Sequence, residues 1–171
     1  MRLENEYLIV EFVAKGAQIS RLISKESQID YMHDADTRYW GYHSPTLFPI
    51  VGSTTGHKIN IKGTEYPMKQ HGFARNFEFE LIQSDDIFCT WRLMDNEDTL
   101  KQYPYHFALS IRYTLKKKLV LIDYTIENLS AVAMPFQFGL HPAFKVPLSP
   151  EKTIEDYRIE FHPQSELKFY N

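Results

Sequence analysis

The clearest alternation of apolar and polar positions runs through Phe107, Leu109, Ile111, Tyr113 and Leu115, opposite His106, Ser110, Arg112 and Thr114. A period of two over this length predicts a half-buried strand. Leu119 to Asn128 answers it across the turn at Lys116-Lys117-Lys118, with Val120, Ile122, Tyr124 and Ile126 on one face. Upstream, Tyr7–Val13 and Ile19–Ile23 flank Lys15-Gly16 and read as a hairpin. Lys58–Met68 reads as a second hairpin turning at Lys62-Gly63, and Phe77–Leu81 as a strand paired with Ile87–Leu93 across Ser84-Asp85-Asp86. Pro135–Leu140 and Thr153–Phe161 alternate in the same way. One short helix is expected at Asn96–Gln102; its acidic start suits the helix dipole, and Pro104 ends it. Tyr31–Thr37 reads as a polar loop. Trp40–Gly56 reads as a long aromatic loop, because Pro45 and Pro49 argue against a regular helix or a central strand. Short strands with turns between them predict an all-β fold, an antiparallel β-sandwich rather than a parallel α/β sheet.

Composition narrows the picture. A chain of 171 residues suits one domain, residues 1–171, and no internal repeat or linker divides it. Aromatics make up 15%, which fits a β-rich core or a sugar site. The net charge of −3 gives no electrostatic case for nucleic acid or an anionic membrane. No apolar run approaches the roughly 20 residues of a membrane span. The single cysteine, Cys89, lies in an apolar alternating run and reads as a buried, inert thiol. With no disulfide framework and no signal-peptide pattern at Met1–Glu6, a cytoplasmic location is expected.

Two stretches carry candidate chemistry. Gln70-His71-Gly72-Phe73-Ala74-Arg75 sets a histidine beside a glycine, whose free dihedrals can aim the imidazole into a cleft. Alone it reads as an ordinary loop histidine with an arginine salt bridge. Pro135 to Phe144 has the same build: an alternating strand, Gly139, His141 and then Pro142, which presses His141 towards extended dihedrals. Two histidines at strand ends can converge on one site, and imidazole suits proton transfer near neutral pH. Metal-binding jelly rolls want closely spaced ligands; His33, His43, His57 and His71 are ten or more residues apart, so no metal site is expected. His106 and His162 are expected to face solvent, as are Glu151, Glu155, Glu160 and Glu166.

Together with Trp40-Gly41, Ser44-Pro45-Thr46-Leu47-Phe48-Pro49-Ile50-Val51-Gly52 and Tyr103-Pro104, in this order, these stretches resemble the aldose 1-epimerase (galactose mutarotase-like) family. The likeness is strongest to its bacterial galactose mutarotase-related branch and covers the chain from Glu6 onward. It implies a galactose mutarotase-like supersandwich that interconverts the α and β anomers of a free aldohexose without a cofactor. A base removes the anomeric proton, an acid protonates the ring oxygen, and the ring opens and recloses. By resemblance His141 matches the general acid and His71 the second histidine, which holds the sugar; Arg75, Trp40 and Phe48 are expected to line the pocket. The branch often carries an arginine after Pro-Ile-Val-Gly, where this chain has Ser53.

The family's base is a glutamate far toward the C-terminus of chains nearly twice this length, and no motif here matches it. The expectation is therefore the N-terminal portion of the domain, truncated at its C-terminal end, with exposed strand edges. A homo-oligomer, or a partner chain that completes the sheet, is expected to cover them. A non-catalytic sugar-binding protein of the same fold is the alternative. A hexose-6-phosphate epimerase would need a cationic cluster, for which only Arg75 can be named.

Overall fold

A computed structural model describes residues 1–160. The chain opens with β1 (Arg2–Glu4), β2 (Leu8–Val13) and β3 (Gln18–Ser24), which form a three-stranded antiparallel sheet in that order. β1 is an addition to the expected hairpin; Leu3 is its one fully buried side chain. A two-residue strand, β4 (Thr46–Leu47), follows the long loop, and β5 (Lys58–Ile61) and β6 (Thr64–Pro67) form the expected second hairpin. Lys62 and Gly63 both have positive φ, 50° and 87°, which gives the turn a twist that matches that of the strands.

The second sheet contains β7 (Glu80–Ser84), β8 (Phe88–Met94), β9 (Phe107–Lys116) and β10 (Leu119–Asn128), ordered β10-β9-β8-β7 and antiparallel throughout. The Asp85 carboxylate accepts from the backbone N–H groups of Ile87 and Phe88, both at 2.8 Å, and closes the β7–β8 turn. The helix α1 spans Glu97–Leu100, with Asn96 and Thr99 forming a reciprocal capping box.

The core lies between the two sheets. Val10, Phe12 and Ile19 from one side meet Trp91, Ile111 and Tyr113 from the other. The Phe12 and Tyr113 rings are 4.7 Å apart, and the buried Tyr113 hydroxyl donates to the Ala17 carbonyl at 2.8 Å. Every odd position from Phe107 to Leu115 is buried, as the period of two demands. The even positions Val120, Tyr124 and Ile126 of β10 are only half-buried, and Ile122 is exposed. Val120, Ile122 and Tyr124 face a cavity of about 1000 Å³ that is also lined by Leu8, Ile19, Met32, Leu140 and Phe144.

Three expectations are corrected. Phe77 and Phe79 belong to no sheet strand: their backbone pairs with the β2–β3 turn, through Gly16 N–H to Phe77 O and Phe79 N–H to Ala14 O. β7 begins later, and a register shift between Leu81 and Gln83 leaves Leu81 38% exposed. Pro135–Leu140 shortens to β11 (Gly139–Leu140). The strand expected at Thr153–Phe161 is a single 3-10 turn at Ile154–Asp156 followed by irregular chain; Phe161, His162 and Glu166 lie outside the described residues. The proline-punctuated loop holds a two-residue strand, β4, paired with β11 in a two-stranded sheet, so it is a short strand and not a central one. Pro45 and Pro49 flank β4 without interrupting it, so the amides of Thr46 and Leu47 remain free to pair. Among the described residues no helix is long and apolar enough to cross a membrane.

Candidate functional site

β4 is the axis of the site. On one side it pairs antiparallel with β11, Gly139 opposite Leu47 and Leu140 opposite Thr46. On the other side Phe48, the next residue, bridges in parallel to Gly72. His141 follows β11 directly and His71 precedes Gly72, so two distant segments deliver their histidines to the two flanks of one short strand. The imidazole centroids are 6.1 Å apart with 24° between the ring planes. His141 is anchored by its own N–H on the Pro45 carbonyl at 3.1 Å.

The approach at Gly72 requires glycine. Its φ is +72°, and a Cβ there would lie 2.2 Å from the Phe48 carbonyl oxygen. That oxygen instead accepts from Phe73 N–H at 3.0 Å and Ala74 N–H at 3.1 Å. His71 also sits at positive φ, 64°, a region that histidine enters more readily than most residues. Its backbone N–H donates to Gly52 O at 2.8 Å, and its Nδ1 accepts from Gly52 N–H at 3.0 Å.

Trp40 stands edge-on to His141, with 4.6 Å between centroids. Its loop is held from behind: His33 Nε2 is 3.1 Å from the Trp40 carbonyl, and the Gln18 side-chain oxygen accepts from the N–H groups of His43 and Ser44. Arg75 lies in a 3-10 turn, Ala74–Asn76, just after His71. Its guanidinium is 4.7 Å from the Tyr42 ring centroid and donates through Nη2 to the Gln70 carbonyl at 2.9 Å. Burial, then the Arg75 charge, then His141 lower the pKa of His71 below its ordinary value, since each disfavours an imidazolium there.

Four of the expected residues, His71, His141, Trp40 and Arg75, therefore gather in one cluster beside β4. Phe48 does not. Its side chain is wholly buried, packed on Phe73 and Tyr103 at about 6 Å and Phe107 at 5.1 Å. Its contribution is the backbone carbonyl under Gly72. Three residues were not anticipated as parts of the site: Gly52, Tyr42 and Gln137. Gln137 takes the Val51 N–H on its side-chain oxygen at 2.9 Å and donates its own N–H to the Pro49 carbonyl at 2.8 Å. An exposed glutamine within an apolar alternating stretch is a weak signal, and nothing in the sequence marks it as a clamp.

Chemically the cluster offers two imidazoles beside an aromatic ring and a cation, which suits hydrogen bonding to a polyhydroxyl ring and proton transfer at one of its oxygens. Among the described residues no group of three or more histidine, cysteine, aspartate or glutamate side chains could hold a metal ion. Cys89 is fully buried, and burial pushes its thiol up to about 11, so it takes no part.

Comparison with known proteins gives a consistent answer. The plasmid-borne protein LacX of Lactococcus lactis subsp. lactis is 35% identical over 167 residues, spanning 94% of this chain and 56% of that protein. A galactose mutarotase related enzyme from Lactobacillus acidophilus superposes with a TM-score of 0.88 at 35% identity, covering 91% of this chain and 52% of that one. A galactose mutarotase-like protein from Lactobacillus casei gives 0.83 at 32% identity, covering 88% and 51%. The chain thus spans about half the length of the relatives it matches. The sequence model of the aldose 1-epimerase family matches residues 1–171, and the chain belongs to that family.

Proposed function

We propose that the site binds a free aldohexose and interconverts its α and β anomers by acid–base ring opening, with His141 moving the proton at the ring oxygen. The observation that carries this reading is the 6.1 Å separation of the His71 and His141 rings, which lets both touch one sugar ring. Trp40 supplies an apolar wall for the sugar's C–H face, and Arg75 a charge beside its hydroxyls. Acid–base assistance of this kind is worth about 10²–10⁴-fold in rate.

A second reading, sugar binding without catalysis, has its own support. Ring opening needs a proton acceptor as well as a donor, and no motif in this chain matches the family's glutamate base. Polarimetry on freshly dissolved α-glucose and α-galactose, beside calorimetric titration with the same sugars, separates the two. Faster equilibration that is lost in His141→Ala supports the isomerase. Binding with no acceleration supports the second reading, and the absence of both removes the sugar site altogether.

A further inference from the structure

His71 and Gly52 are joined twice. The histidine's backbone N–H donates to Gly52 O at 2.8 Å, and the Gly52 N–H donates to the His71 ring at Nδ1, 3.0 Å away. A backbone N–H can only donate, so Nδ1 must offer a lone pair. A neutral imidazole has one N–H, and here it falls on Nε2. Protonating the ring would set an N–H of the imidazolium against the N–H of Gly52 and break the contact. The backbone enforces the arrangement: both residues are left-handed, His71 at φ 64° and Gly52 at φ 80°, which turns the two segments toward each other. Val51, the neighbour of Gly52, is held in turn by the Gln137 side chain.

We propose that the Gly52 amide locks His71 as a neutral Nε2–H donor, so that its ring offers a hydrogen bond and does not take up a proton at Nδ1. The charged and titratable groups that act on His71 are Arg75, from the following turn, and His141, from the flank of β11; both oppose a second positive charge there. Two free imidazoles so close would share one proton between them and titrate as a pair. The lock removes that ambiguity. What it means for a ligand rests on the proposed function: His71 gives a hydrogen bond to a sugar oxygen, and it cannot serve as the missing base without letting go of Gly52.

The tautomer can be read directly, without sugar. Long-range ¹H–¹⁵N correlation spectra of the ¹⁵N-labelled chain, recorded while the pH is lowered through the ordinary histidine value of about 6.5, report which ring nitrogen carries the proton. The lock requires Nε2 protonated and Nδ1 accepting, unchanged through that value. A proton on Nδ1, averaging of the two tautomers, or titration of His71 at the ordinary value would overturn it. Two variants supply a second readout, hydrogen exchange at the Gly52 amide. In His71→Asn the short side-chain oxygen can replace Nδ1, and protection is expected to persist. In His71→Gln the amide reaches past that point, and exchange is expected to accelerate at least tenfold. Equal exchange in wild type and His71→Gln would show that the ring does not hold the amide. Because no ligand is involved, the outcome is independent of whether the site accepts a sugar.

Discussion

Replacing Gly72 with alanine tests how rigidly the histidine site is built. The new methyl would stand 2.2 Å from Phe48 O, 2.5 Å from Phe48 C and 2.7 Å from Pro49 N. All three are backbone atoms, so no rotamer change relieves the overlap. Ordinary contact begins at 3.4 Å, so the two segments must part by 3.4 minus 2.2, about 1.2 Å. That displacement breaks the bonds from Phe73 and Ala74 to Phe48 O, now 3.0 and 3.1 Å long. At about 0.5–1.5 kcal/mol each, they account for about 1–3 kcal/mol. Alanine at φ +72° adds about 1 kcal/mol. The expected loss is about 2–4 kcal/mol, before any loosening of the buried Phe48 ring, against a typical domain stability of about 5–15 kcal/mol. Gly63→Ala is the control. Its φ is +87° and no atom lies within 4 Å of the new methyl, so only the conformational cost of about 1 kcal/mol applies. Urea unfolding followed by circular dichroism gives both values, provided the slopes agree. Equal midpoints for the two variants would refute the close approach of β4 to Gly72.

Acid sensitivity follows from His71. Its folded pKa is lowered, so its contribution is complete above the unfolded value of about 6.5 and is lost as pH falls from there through the folded value, where the unfolded chain binds a proton that the folded ring refuses. Wild type is expected to lose more stability than His71→Asn between about pH 7.5 and pH 5 in urea titrations; parallel curves would remove His71 as the cause. The cavity beside β10 makes a different prediction. Its wall includes Leu140, 50% exposed, and Phe144, 60% exposed, and among the described residues β10 has a hydrogen-bonded neighbour on one edge only. The 171-residue chain alone is expected to self-associate with rising concentration in sedimentation experiments, and Phe144→Lys to weaken this; a wild-type monomer at all concentrations would contradict it.

Most of the sheet architecture was legible because β9 alternates over ten residues, long enough for the period of two to outweigh local exceptions. The turn at Lys62-Gly63 and the short helix after Asn96 were legible for a different reason, since their signals are local. Three features were hidden. β4 has only two residues, too few to show a period, and its prolines argue against a strand unless their positions just outside it are known. The segment Phe77–Phe79 alternates correctly but pairs with the β2–β3 turn, a partner that no local pattern names. The apolar spacing from Thr153 to Glu160 does not bury its isoleucines: Ile154 is 67% exposed and Ile159 is 83% exposed. The closeness of His71 and His141 was expected from their strand-end context together with the family resemblance, and their rings do lie 6.1 Å apart. The misplacement of Phe48 shows the limit of that reasoning, because a motif shows that a residue matters without showing whether its ring or its carbonyl is used.

The site is less a pocket added to a finished fold than the rim of the core itself. Phe48, Phe73, Tyr103 and Phe107 form one aromatic cluster, and the Tyr103 hydroxyl donates to the Pro135 carbonyl at 2.6 Å, drawing in the segment that leads to His141. Core packing therefore sets the height of both histidine-bearing segments above β4. The segment after β11 then serves two surfaces. Leu140, Pro142 and Phe144 line the apolar cavity, while His141, between them, stands against Trp40 and His71. The segment is tied down by single backbone bonds, His141 N–H to Pro45 O, Ala143 N–H to His43 O and His33 N–H to Ala143 O. Because neighbouring side chains on a single extended segment point to opposite sides, the same stretch of backbone that sets His141 against Trp40 and His71 also sets Leu140, Pro142 and Phe144 against the cavity.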